Sequence, residues 1–106
     1  MRAAAEAAYC EALSLGRILA AEFGVERVYL FGSFAWGPDT RSDSDLDLAV
    51  QGLAPGKFVL AHLRLSNASK YAIDLVRLER LPDLLRNRIL KSGLLLDDHQ
   101  PEYTAS

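Results

Sequence analysis

The chain has 106 residues, 50% apolar and 25% charged, with 12 basic and 14 acidic side chains for a net charge of −2. That balance is that of a globular domain and not of a chain disordered throughout, it excludes a globally basic nucleic-acid binder, and no apolar run approaches the roughly 20 residues of a membrane span. The single cysteine, Cys10, excludes an internal disulfide framework, and no Cys/His spacing suits structural zinc. A chain of this length buries roughly 60–70% of its unfolded surface, enough for one core. The N-terminus also lacks the charged-then-apolar order of a signal peptide. These features predict one cytoplasmic domain over residues 1–96, with no membrane or stable DNA contact, and a polar, mobile tail over 97–106.

From Ala3 to Phe23 apolar residues recur three or four apart at Ala5, Tyr9, Ala12, Leu13, Leu19 and Phe23, which predicts a helix stopped by Gly24. Arg27 to Phe31 is short, rich in β-formers and bounded by Gly24 and Gly32, the pattern of a buried strand. Ser33 to Trp36 suits a short helical turn that Gly37-Pro38-Asp39 must break, and a polar loop leads through Arg41. A second strand is expected over Asp45 to Gln51. Phe58, Ala61, His62 and Leu65 repeat at helical spacing, and Asn67-Ala68-Ser69 ends that helix. Tyr71 to Leu78 alternates as a third strand. Pro82 suits the first turn of a last helix with Leu84, Leu85, Ile89 and Leu90 inward and Gly93 as its stop; Leu94 to Leu96 adds an edge strand. The order predicts an α/β or α+β domain, a small mixed sheet flanked by helices.

Chemistry concentrates in three of these segments. Gly32 ends a strand and lets a backbone or phosphate approach closely, and Ser33 opens a turn whose N–H groups and hydroxyl suit phosphate oxygens. Asp45 and Asp47 project side by side from the second strand while Leu46 and Leu48 enter the core. Such a pair either faces solvent at a strand end, the usual fate of Asp-x-Asp, or shares a divalent cation that removes its repulsion. Asp43 has the same parity but lies in the loop, as a solvated neighbour. Asp74 is the acid of an otherwise apolar strand, where an unpaired buried carboxylate costs several kcal/mol. It needs a cation or strong donors: a salt bridge to Arg77 or Arg41, or, if the third strand lies beside the second, a three-carboxylate cluster with Asp45 and Asp47. Oxygen ligands of this kind suit magnesium or manganese. An anion site beside a metal site describes a nucleoside triphosphate with its metal.

Leu30-Phe31-Gly32-Ser33, Gly37, Ser44-Asp45-Leu46-Asp47-Leu48 and Ile73-Asp74-Leu75-Val76 together resemble the minimal nucleotidyltransferases of the polymerase-β superfamily, over nearly the whole chain. The resemblance implies a polymerase-β-like core in which Asp45 and Asp47 bind two Mg²⁺ ions, with Mn²⁺ as an alternative. Asp74 binds the catalytic ion, and Gly32 and Ser33 hold the triphosphate of ATP. Trp36 departs from the pattern, standing where many members carry arginine, and leaves Arg41 or Lys57 as substitutes for that cation. Cys10, His62 and His99 are expected to be packing or surface residues.

The activity implied is nucleotidyl transfer. Larger superfamily members add domains that hold the acceptor, so this chain is expected to dock its acceptor on another surface. Minimal members pair with small helical HEPN proteins as toxin and antitoxin, which implies a HEPN partner and transfer of AMP to one of its hydroxyls. Two alternatives stay open: neutralisation of the HEPN ribonuclease by binding alone, and transfer to a small molecule. Phe58 and Tyr103 are candidate contacts for such a partner, as is Trp36, for which packing in the core is the favoured reading.

Overall fold

The computed structural model describes residues 3–32 and 45–96, with side chains from Ala7 onward. Helix α1 runs Ala3–Phe23 and strand β1 Arg27–Phe31; after the undescribed residues come β2, Leu46–Gln51, and a 3₁₀ turn, Pro55–Lys57. Helix α2, Phe58–Ala68, leads to β3, Ile73–Arg77; a second 3₁₀ turn, Leu78–Arg80, precedes α3, Asp83–Ser92, and β4, Leu94–Leu95. The four-stranded sheet has the order β3-β2-β1-β4. β1 is antiparallel to both β2 and β4, while β2 and β3 are parallel. A parallel pair cannot be joined by a hairpin, and α2 supplies the crossover. The α+β class and the small mixed sheet expected from the sequence are both present. The expected helical turn after Gly32 and the expected tail lie outside the described residues.

Alternation along the strands separates two cores. Val28 and Leu30, Leu46, Leu48 and Val50, and Ile73 and Leu75 face α1 and α2, where Ala8, Ala12, Leu15 and Leu19 form the buried stripe of α1 and Ala61 and Leu65 that of α2. The stripe on α1 is rotated from the expected one: Tyr9, Leu13 and Phe23 flank it, and Leu15 is at its centre. The small residues Ala8 and Ala12 let the helix approach the sheet closely. Gly24 then ends α1 as expected, at φ +65° with its N–H donating to the Ala20 carbonyl. Phe58, expected to be left over for a partner, packs partly buried against this core.

The second core is smaller. Tyr29, Ala49, Leu78 and Ile89 are buried there, with Phe31, Val76, Leu81 and Leu85 partly so. Helix α3 therefore faces the sheet through Leu85 and Ile89, four residues apart. Leu84 and Leu90, both expected inside, point outward; Leu84 is 87% exposed. A helix of ten residues laid over one end of a sheet has one apolar face to cover, and these two leucines fall beyond its width. Pro82 stands just before the first helical residue instead of within the first turn.

Candidate active site

Strand β2 builds the site because its two faces have different neighbours. With Leu46, Leu48 and Val50 in the main core, Asp47 faces the other way, together with Ala49. Pairing sets what surrounds it: Asp47 lies opposite Phe31 of β1 and opposite Asp74 of β3. The third strand thus lies beside the second, and two acids from separate segments meet in register. Helix α3 covers Ala49 on this face, and the carboxylates sit one alternation beyond it, toward the start of the parallel strands.

Gly32 closes the site from the β1 side. Its φ is +79°, and a Cβ there would lie 1.9 Å from Oδ2 and 2.8 Å from Cγ of Asp47. Glycine is required both for the left-handed turn and for the room that the carboxylate takes. The group beside Gly32 is the Asp47 side chain, where the sequence suggested backbone or a phosphate. Ser33, Trp36, Arg41 and Asp43 lie outside the described residues.

The electrostatics follow from this crowding. Burial, the charge of Asp74, a hydrogen bond with Asp74 and the charge of Asp45 push Asp47 up to about 6 from an ordinary 3.8. Its carboxyl is half-buried, and among the described residues no cation offsets that rise. Asp74 is exposed, against the expectation of a buried acid. β3 is the edge strand of the sheet, and the cost of desolvation falls on Asp47 in the strand inside it. The alternative partner for Asp74, Arg77, is an odd number of residues away and so belongs to the opposite face of β3.

Asp45 precedes β2 and is exposed; the adjacent Leu46 N–H donates to the Ala72 carbonyl at 2.9 Å, which pins the entry to β2 against the entry to β3. Among the described residues no three His, Cys, Asp or Glu side chains already converge on one point. Asp47 and Asp74 form the close pair, and Asp45 acts on it by charge from two residues away. An oxygen-only set with a proton held up to about pH 6 fits a hard divalent cation, which would supply the missing charge.

Two further residues bear on the site. His62 Nε2 lies 2.9 Å from the carbonyl oxygen of Ile73, which can only accept, so the ring donates and anchors the residue just before Asp74. The lone histidine on a helix carried no spacing signal for this role in the sequence. Lys57 ends the 3₁₀ turn that follows β2 and is exposed.

A family model described as Polymerase beta, Nucleotidyltransferase matches residues 14–102. A solved toxin–antitoxin structure with AMP-PNP is 26% identical, with a TM-score of 0.63, over 89% of this chain and 76% of that one. A structure assigned as a minimal nucleotidyltransferase is 33% identical with a TM-score of 0.60, over 78% of this chain and 87% of that one. A chain from the complex of tri-AMPylated Shewanella oneidensis HEPN toxin with MNT antitoxin shares the fold, with a TM-score of 0.59 at 21% identity, over 95% of this chain and 78% of that one. No curated protein is significantly similar to the chain.

Proposed function

The chain belongs to the polymerase beta nucleotidyltransferase family, and on that premise we propose that it transfers AMP from ATP to a hydroxyl of a HEPN partner protein, as the antitoxin of a toxin–antitoxin pair. The observation that carries the reading is the Asp47–Asp74 pair, set in register by the parallel strands and crowded by Gly32, with the Asp47 carboxyl pushed up by burial and by the charges of Asp74 and Asp45. The partner is supported by the likeness to a toxin–antitoxin complex that holds AMP-PNP. Among the described residues no helix is long and apolar enough to cross a membrane.

In this reading Asp45, Asp47 and Asp74 hold two Mg²⁺ ions, with Mn²⁺ able to replace them, and Gly32 and Ser33 receive the triphosphate. Bound there, the ions supply the charge stabilisation for in-line displacement at the α-phosphorus. Asp74, exposed at the sheet edge, accepts the proton of the incoming hydroxyl as the new O–P bond forms and pyrophosphate departs. Asp47, held between Gly32 and Asp74, fixes the geometry.

The test is incubation with ATP, Mg²⁺ and the proposed HEPN partner, followed by mass spectrometry of that partner. A gain of one or more AMP units, lost in Asp74→Asn, is expected. Neutralisation of the partner by Asp74→Asn without any mass gain would instead establish control by binding alone. Transfer to a small molecule and not to protein would displace the partner from the proposal.

A further inference from the structure

The outer edge of β3 borders a groove of about 470 Å³ that the catalytic reading does not use. Leu75, Val76 and Arg77 all touch it. Consecutive strand residues point to opposite faces, so a groove reached by all three runs along the strand's edge. Pro55 and Phe58 wall it on one side and Leu81 on the other.

The backbone there is available for pairing. In a parallel ladder the N–H and C=O of one residue point the same way and alternate from residue to residue. The Ala72 carbonyl accepts from Leu46 on the β2 side, so Asp74 and Val76 also face β2, and Ile73, Leu75 and Arg77 face outward. His62 caps the Ile73 carbonyl. Leu75 then presents its N–H and C=O to the groove and Arg77 its N–H, two residues apart, which is the repeat of a strand edge; the Arg77 carbonyl opens the 3₁₀ turn.

The charge of the groove selects what pairs with it. Arg77 and Arg80 line it, and none of the described residues lining it is acidic. Glu79, between them, is committed elsewhere: its carboxylate accepts from the Gly52 N–H at 2.8 Å. Among the described residues the buried Nε of Arg77 has no hydrogen-bond partner. A second copy of this chain pairing edge to edge would bring a second Arg77 and Arg80 against the first, so self-pairing is opposed by charge.

We propose that the β3 edge binds an extended, acidic segment of a partner protein as an added strand, whose backbone pairs with Leu75 and Arg77 and whose carboxylates meet Arg77 and Arg80. Apolar side chains of the segment alternate with its acids and fill the space between Phe58 and Leu81. The proposal stands apart from nucleotidyl transfer, since none of the described residues lining the groove belongs to the acidic site.

The probe is a blocked peptide of alternating valine and glutamate, with a valine–lysine peptide of the same length as control. Amide NMR of the full chain should show shifts and slowed hydrogen exchange at Leu75 and Arg77 with the glutamate peptide only. Arg80→Glu, an exposed change, should weaken that peptide at least tenfold and improve binding of the lysine peptide. Equal binding of both peptides, no binding of the glutamate peptide, or a concentration-dependent dimer that protects the same amides would each overturn the proposal.

Discussion

The two faces of β2 lie within one strand and serve opposite ends. On one, Leu46, Leu48 and Val50 are fully buried against α1 and α2; on the other, Asp47 is half-buried and its carboxyl is held well above its ordinary range. The first face contributes roughly 1.5–3 kcal/mol for each large apolar side chain removed from water. The second opposes folding, because carboxylates are gathered where they repel. A fold that must concentrate negative charge at one place needs the rigid strand to do so and a strong core behind it. Alternation delivers both from a single run of six residues.

Substitutions one residue apart should therefore part company, and the effect should be large. Asp47→Asn is expected to reduce transfer at least 1,000-fold while the metal-free chain becomes no less stable, since it removes a proposed ligand and a source of repulsion. Asp45→Asn should behave alike. Leu48→Ala, at a fully buried position, should instead lose about 2–5 kcal/mol of stability and keep its activity at temperatures where it stays folded. Thermal melts with and without metal, alongside transfer assays, decide the matter. A clear drop in melting temperature for both Asn variants would make the acids structural and remove the comparison.

How far the sequence disclosed this arrangement depended on whether a feature was local. Helix α1, β1 and α2 were readable because glycines and polar breaks punctuate them, and the alternation that put Leu46 and Leu48 inside and Asp47 outside is a local property. The side of α3 that packs is not local: Leu84-Leu85 and Ile89-Leu90 offer adjacent apolar rows, and only the position of Tyr29 and Ala49 selects Leu85 and Ile89. Exposure of Asp74 likewise follows from strand order, since an apolar strand looks the same in sequence whether it lies at the edge or the centre of a sheet. The Asp47–Asp74 register was conditional on β3 lying beside β2, and the spacing of Gly32 gave no sign that Asp47 would occupy the space above it.

That crowding allows an intermediate effect to be isolated by comparing two glycines. Gly24 and Gly32 both have positive φ, but a Cβ at Gly24 meets nothing within 4 Å, whereas at Gly32 it meets the Asp47 carboxylate. Alanine at either position should cost about 1–2 kcal/mol for the left-handed backbone. Only Gly32→Ala must also turn Asp47 aside, so it should lower transfer at least tenfold, with Gly24→Ala near the parent rate. Equal losses at the two sites would mean that the room above Gly32 has no part in placing the carboxylate.

The smallest effect is a pH dependence, and its sign follows from Asp47 alone. Its carboxyl holds a proton up to about pH 6 in the folded chain and up to about 3.8 when unfolded. Between those values the folded state binds more protons, so the contribution of Asp47 to stability is present below pH 3.8 and is lost as pH rises through 6. The loss should be about 1–2 kcal/mol, reduced from the full shift because the group is half-exposed and solvent screens it. Asp47→Asn has no such titration, so its stability relative to the parent should grow from pH 4 to about 6.5 and then level off. Millimolar Mg²⁺ should narrow that gap above pH 6, where the cation takes the place of the lost proton, and should leave the Asn variant unchanged. Denaturation curves for parent and variant across this range, with and without Mg²⁺, test both steps. Parallel pH profiles would show that Asp47 is not strained by its neighbours, and an equal response of both proteins to Mg²⁺ would place the cation elsewhere.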